Sequence, residues 1–194
     1  MNYVIATIKS WNIEEYYSRK QSMTGNPKLI TDKQQLNKDF LKKIKPKYIF
    51  FPHWSWKVPL DVLNEYECVC FHMTDLPYGR GGSPLQNLIV NNKKKTVITA
   101  LRMEKQVDAG PIYLKNPLIL DGNAQDIYKN ASKIIFNMIE DILQKEIIPK
   151  KQQGKVTMFK RRTVKQSKIP KNSSLTKIYD HIRMLDADTY PKAF

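Results

Sequence analysis

The chain has 194 residues, 41% of them hydrophobic, which is enough for one well-buried core and short of what two ordinary domains need. Its 33 Lys and Arg against 18 Asp and Glu give a formal charge of +15 and an isoelectric point near 9.7, favouring anionic partners without saying which anion. No apolar run reaches the roughly 20 residues of a membrane span, the first twenty residues carry Glu14, Glu15, Arg19 and Lys20 instead of a signal-peptide layout, and Cys68 and Cys70 are too few for a disulfide framework. The expectation is a cytoplasmic protein with no membrane partner.

Tyr3 to Ile8 reads as a first β-strand, followed by a helix over 12–20 and a turn at Gly25-Asn-Pro27. Lys28 to Ile30 is a second short strand. Thr31 or Asp32 then caps a helix whose Leu36, Phe40, Leu41 and Ile44 recur at helical spacing before Pro46. Tyr48 to Phe51 and Cys68 to Phe71 are continuous apolar runs of the buried parallel-strand type, with a brief helix over 58–65 opened by Pro59 between them. Cys68 and Cys70, two apart on a strand, share a face without being placed to bond each other. A Gly- and Pro-rich segment, Tyr78 to Pro84, leads into a short helix from Leu85. Strands at 96–101 and 112–114 flank a loop over 104–111. The clearest helix starts at an Asn123 cap and runs to about Ile147, with Ile127, Ala131, Ile135, Met138, Ile139 and Ile142 on one apolar face. Beyond Pro149 the chain is polar and basic, closing with an amphipathic helix over 175–185. The alternation predicts an α/β fold: a Rossmann-like, mostly parallel central sheet flanked by helices, with a catalytic domain over 1–150 and a basic extension over 151–194 whose one helix packs on the same domain.

The informative segment is Phe71-His-Met-Thr-Asp-Leu-Pro-Tyr-Gly-Arg-Gly-Gly-Ser-Pro-Leu-Gln86, where a buried strand delivers His72 into a glycine-rich loop, the place where open α/β sheets bind ligands. His72 with Leu76-Pro77, Arg80-Gly81 and Pro84 in register, and Asp108-Ala-Gly110 thirty-six residues beyond the histidine, resembles the formyltransferase family that uses 10-formyltetrahydrofolate. The resemblance spans roughly residues 1–150, and Lys160-Arg-Arg162 and Ile182 to Asp186 echo the family's tail. It implies that Pro52-His-Trp-Ser-Trp-Lys-Val-Pro59 occupies the place of the loop whose backbone holds the pterin ring. Trp54, Ser55, Trp56, Lys57, Val107 and Asp108 are therefore the expected cofactor contacts. It also implies a substrate side built from Thr74, Asp75, Tyr78, Gly79, Arg80, Gly81, Gly82, Gln86, Arg161 and Arg162.

The residue types fit the chemistry. Formyl transfer takes a proton from an attacking amine and returns one to a folate nitrogen, and an imidazole at His72 suits both near neutral pH. A carboxylate at Asp108 would orient the ring or favour its protonated form, and so help to stabilise charge on the formyl oxygen. One position departs from the family: where relatives have an Asn that holds the formyl oxygen, this chain has Cys70, and a thiol is a weaker donor than an amide. His53, at the neighbouring strand end, is the first candidate to compensate, a loop backbone N–H the second. No metal is expected, since Cys68 and Cys70 alone are too few ligands.

For the acceptor, tRNA formyltransferases of the family carry an extra C-terminal domain, while this chain ends about 45 residues after its last long helix. Purine-pathway relatives have a Gly-rich phosphate loop near the N-terminus, and residues 6–17 contain no glycine. The expectation is therefore a nucleotide-linked 4-amino-4,6-dideoxysugar, with wording nearest the pseudaminic acid pathway enzymes that act on a UDP-linked sugar. Arg80, Lys160, Arg161 and Arg162 would meet its phosphates, no nucleic acid would be bound, and the protein would be a monomer or homodimer. Formylation of another small amine or of methionyl-tRNA, or a basic nucleic-acid-binding module without catalysis, are the alternatives.

Overall fold

In the computed structural model, which describes all 194 residues, the chain runs β1 (Asn2–Ala6), α1 (Ser10–Arg19), β2 (Asn26–Ile30), α2 (Lys38–Ile44), β3 (Tyr48–Phe51), α3 (Leu60–Glu65), β4 (Glu67–His72), β5 (Arg80–Gly81), α4 (Pro84–Val90), β6 (Lys95–Arg102), β7 (Ile112–Ile119), α5 (Ala124–Lys145), β8 (Met158–Phe159) and α6 (Leu175–Arg183). Six strands form one sheet in the order β2-β1-β3-β4-β6-β7. The first four are mutually parallel, as their apolar runs predict, whereas β6 lies antiparallel to β4 and β7 antiparallel to β6. An apolar run encodes a strand but not its direction, so the reversal at β6 is not written in the local pattern.

Alternation along the central strands divides the core. Tyr3, Ile5, Phe50, Val69 and Phe71 face the larger cluster, formed with α1, α4 and α5. Val4, Ala6, Ile49, Phe51 and Cys68 face the smaller one, under α2 and α3. Cys70 packs on the smaller side with Cys68, as their spacing requires. Helix α5 contributes Ile127, Ala131, Ile135, Met138, Ile139 and Ile142, all essentially fully buried. Each large aliphatic side chain there stabilises the fold by about 1.5–3 kcal/mol. Its start is fixed by a reciprocal cap in which Asn123 Oδ1 accepts from the Asp126 N–H at 2.9 Å and Asp126 Oδ2 accepts from the Asn123 N–H at 3.3 Å.

The helix expected from Asp32 is interrupted. Asp32 does cap, accepting from the Gln34 N–H, but only for a single 3-10 turn over Lys33–Gln35. Leu36 then leaves helical geometry, and Asn37 caps α2 by accepting from the Phe40 N–H at 2.9 Å. Two strands of two residues each, β5 and β8, were not expected at all. They pair in parallel through Arg80↔Met158 and Gly81↔Phe159, drawing the basic C-terminal segment against the glycine-rich loop. Gly81 is required there: its φ is +102°, and a Cβ would lie 2.5 Å from the Phe159 carbonyl oxygen. Behind α6, Arg183 pairs with Asp180 at 2.6 Å and donates to the Leu120 and Gly122 carbonyls, tying the tail to the β7–α5 junction. No helix is long and apolar enough to cross a membrane.

Candidate active site

A cleft of about 800 Å³ opens at the C-terminal ends of β3 and β4, between the aromatic loop after β3, the Asp108 loop and the returning tail. His72, the last residue of β4, points to the same side as Cys70 and is 8% exposed. Its Nε2 lies 2.8 Å from the Gly79 carbonyl oxygen. A carbonyl only accepts, so Nε2 carries the proton and Nδ1 is the ring atom free to gain or lose one. Nδ1 stands 3.5 Å from Asp108 Oδ2, an electrostatic neighbour at slightly more than good hydrogen-bonding distance.

Asp108 is held on every side. Oδ2 accepts from the Gly81 N–H at 2.8 Å, and its backbone carbonyl accepts from Gln152 Nε2 at 2.8 Å, as does that of Gly110 at 2.9 Å. Gly110 has no room for a side chain, since a Cβ would fall 2.0 Å from the Arg102 carbonyl oxygen. Asp108 itself adopts a left-handed backbone, φ +53°. Of the eight non-glycine residues with positive φ, four line the cleft: His53, Ser83, Asp108 and Thr189. Such conformations cost free energy and cluster where function over-determines the structure.

His53 sits at the cleft with its ring edge-on to Trp11 and Tyr128. Trp11 Nε1–H donates to His53 Nδ1 at 3.0 Å, and Asn12 Nδ2 approaches the same atom at 3.1 Å. Burial, reinforced by the Lys9 cation, pushes its pKa down to about 4. Burial and then the nearby Asp108 carboxylate push the Cys70 thiol well above its ordinary range, so Cys70 lines the cleft as a neutral S–H and not as a thiolate.

Of the expected cofactor contacts, Trp54, Ser55, Trp56 and Val107 line the cleft and Lys57 does not. Trp54 and Trp56 meet edge to face, and the buried Trp54 Nε1 has no partner in the protein. Of the expected substrate contacts, Gly81, Gly82, Gln86, Arg161 and Arg162 line the cleft. Gln86 spends its amide N–H groups on Tyr128 Oη and the Met184 carbonyl. Arg162 is held by its backbone to Ser83 Oγ and through Nη2 to the Gln166 carbonyl. Neither Arg161 nor Arg162 has a carboxylate partner.

The remaining substrate residues are placed elsewhere. Arg80, expected at a phosphate, turns inward: it is 8% exposed, and Nε and Nη2 both donate to Gln152 Oε1, so it braces the amide that braces the Asp108 loop. Thr74 is buried beneath the loop with its hydroxyl at the Gly79 carbonyl, and Gly79 itself backs onto the Phe159 ring. Asp75 pairs with Lys115 outside the cleft. Tyr78 packs edge-on against Phe159. One wall was not foreseen. Trp11, Tyr128 and Tyr190 stack in a row, with Lys9 Nζ over Trp11 and Tyr190 and bonded to Thr189 Oγ1. Of its members only Tyr128, beside Ile127 on the buried face of α5, lies where helical spacing implies burial.

Several known proteins share this architecture. A family profile described as "Methionyl-tRNA formyltransferase, C-terminal domain" matches residues 164–194. A solved structure titled methionyl-tRNA formyltransferase, from Clostridium thermocellum, is 49% identical, with a TM-score of 0.96, all of this chain aligned and 87% of the other. A methionyl-tRNA formyltransferase of Thermodesulfovibrio yellowstonii is 25% identical over 93% of this chain and 61% of its own length. The chain spans about half the length of further curated relatives. A 4-N formyltransferase from Francisella tularensis, 15% identical with a TM-score of 0.70, shares the fold across 99% of this chain and 91% of its own. The amino-sugar expectation is thus matched only at the level of fold, and the expectation that the C-terminal domain of the tRNA enzymes is missing is corrected by the match of residues 164–194 to a profile of that domain.

Proposed function

This chain belongs to the formyltransferase family, and from that premise we propose that it transfers a formyl group from 10-formyltetrahydrofolate to a primary amine beside His72. The observation that carries the reading is the His72 Nδ1–Asp108 Oδ2 pair, 3.5 Å apart on a cleft whose basic wall, Arg161 and Arg162, has no carboxylate of its own. The residues present fit a pterin. Trp54 and Trp56 offer aromatic faces, and the unpartnered Trp54 Nε1–H offers a donor to a ring heteroatom. Bound there, the folate supplies an acyl group on a nitrogen that leaves as a weakly basic amine.

The chain's own residues then do three things. His72 Nδ1 takes a proton from the amine as its nitrogen bonds to the formyl carbon, and returns a proton to the folate nitrogen as the old C–N bond breaks. Asp108 offsets the positive charge the ring gains between these steps. The Gly79 carbonyl holds Nε2–H throughout, so only Nδ1 exchanges protons.

For the acceptor, methionyl-tRNA is the reading that the names of the relatives at 49% and 25% identity support. Its aminoacyl amine and adjacent phosphodiesters suit a reactive pair beside unpaired arginines. A nucleotide-linked 4-amino-4,6-dideoxysugar is the second reading, favoured by one observation: the arginines lie within the cleft itself, where the diphosphate of a small substrate would reach them. Incubation with 10-formyltetrahydrofolate and, in parallel, methionyl-tRNA and a panel of nucleotide-linked amino sugars, read by mass spectrometry, tests both. One formyl group gained by a single acceptor identifies it. No gain on any acceptor, with folate bound, removes the proposed activity and leaves a basic binding module.

A further inference from the structure

Resting on the formyl-transfer reading, we propose that His53 supplies the hydrogen-bond donor for the formyl oxygen that relatives draw from the Asn replaced here by Cys70. Strands β3 and β4 run parallel with Phe51 beside Cys70, and neighbouring strands lie about 4.8 Å apart. Two residues further along each chain come His53 and His72, both on the cleft. The cleft that holds Cys70 and His72 is thus also lined by a second histidine from the end of the adjacent strand, its ring packed on Trp11 and Tyr128.

The protein fixes which nitrogen of His53 holds the proton. An indole N–H only donates, so the 3.0 Å contact from Trp11 Nε1 makes Nδ1 the acceptor and puts the proton on Nε2. Asn12 Nδ2 also lies 3.1 Å from Nδ1, while its two hydrogens go to Thr7 Oγ1 at 3.0 Å and the Pro52 carbonyl at 3.1 Å, which fixes the orientation of its amide. His53 Nε2, in contrast, is screened from water and has no partner in the protein. Buried donors in native proteins are almost always satisfied, so one left open beside a cleft marks a place for a ligand acceptor. The ring also stays neutral: burial and Lys9 hold its pKa at about 4, so it donates without releasing or taking a proton. Cys70 cannot duplicate this, being a weak S–H donor. His53 thus forms no covalent bond and moves no proton. It stabilises the negative charge that builds on the formyl oxygen as the amine attacks.

The test uses His53→Phe, which keeps a ring and removes both nitrogens, and the double variant carrying Cys70→Asn as well. Formyl transfer by His53→Phe should lose about 100- to 1000-fold in kcat, the range for one lost oxyanion donor. Its affinity for tetrahydrofolate, read by tryptophan fluorescence, should change less than about threefold. Cys70→Asn should then restore at least about tenfold of the lost kcat, by returning an amide donor to the family's position, which a merely structural role for His53 would not allow. Independently of any variant, nitrogen NMR of the wild-type imidazoles should show His53 as the Nε2–H tautomer, unchanged between about pH 5.5 and 8. A proton found on Nδ1, a His53→Phe kcat within about threefold of wild type, or no recovery in the double variant overturns the proposal. Wild-type protein inert towards every amine is a different failure, that of the formyl-transfer reading, and is recognised because the loss then precedes any substitution.

Discussion

At the ends of two adjacent parallel strands the fold presents two imidazoles to one cleft and treats their charge in opposite ways. Beside His72 Nδ1 stands a carboxylate, with Nε2–H engaged by a carbonyl, so the free nitrogen faces negative charge. Beside His53 Nδ1 stands the Trp11 indole N–H, with the Asn12 amide nitrogen and the Lys9 cation near, so that nitrogen faces groups that refuse a proton. The contrast lies in the partner of Nδ1, which under the proposed mechanism would make one ring a proton carrier and the other a fixed donor, on backbones two residues beyond paired positions of the same sheet.

The largest effect short of removing a histidine should come from erasing what distinguishes the two. Asp108→Asn keeps an oxygen to accept the Gly81 N–H but withdraws the negative charge, and kcat for formyl transfer should fall about 100-fold while the melting temperature moves little. An unchanged kcat would mean the carboxylate only shapes the loop. A smaller effect concerns stability. With a folded-state pKa near 4 against an ordinary value of 6.5, His53 binds a proton in the unfolded chain that it refuses in the native one. Its contribution to stability is present above about pH 6.5 and is lost as pH falls towards 4, on the order of 3 kcal/mol in denaturant titrations. His53→Phe should flatten that part of the curve, and a slope that survives in the variant would assign it to other groups. The smallest effect is expected of Lys9→Met, which removes the lesser of the two causes. The acid-side loss should shrink by a fraction of a kcal/mol and shift to slightly higher pH onset of native protonation, visible in the His53 imidazole NMR titration.

Much of this was legible in the sequence because the signals were local or periodic. Continuous apolar runs marked β3 and β4, Asn123 announced α5, and the register of His72 with Asp108 anticipated a pair that the fold brings within 3.5 Å. What stayed hidden depends on distant partners. Two-residue strands have no periodicity to detect, so the β5–β8 pairing that presses Arg161 and Arg162 onto the cleft could not be foreseen as a strand. Arg80 looked like a phosphate ligand because charge predicts exposure. It is buried because Gln152, seventy-two residues away, meets its guanidinium. The wall of Trp11, Tyr128 and Tyr190 joins α1, α5 and the tail, and the Lys9 bond to Thr189 spans 180 residues. Helix α2 began late because Asn37 caps better than a turn that had already bent at Leu36.

The most direct test of formyl transfer at this cleft is a single-turnover experiment with protein in excess over 10-formyltetrahydrofolate, following folate deformylation and acceptor mass together in wild type and His72→Ala. The expected result is stoichiometric transfer to one amine by the wild type and a rate at least about a thousandfold lower in the variant, with tetrahydrofolate still bound. Equal transfer rates in the two proteins, or deformylation with no acceptor gaining mass, would contradict it.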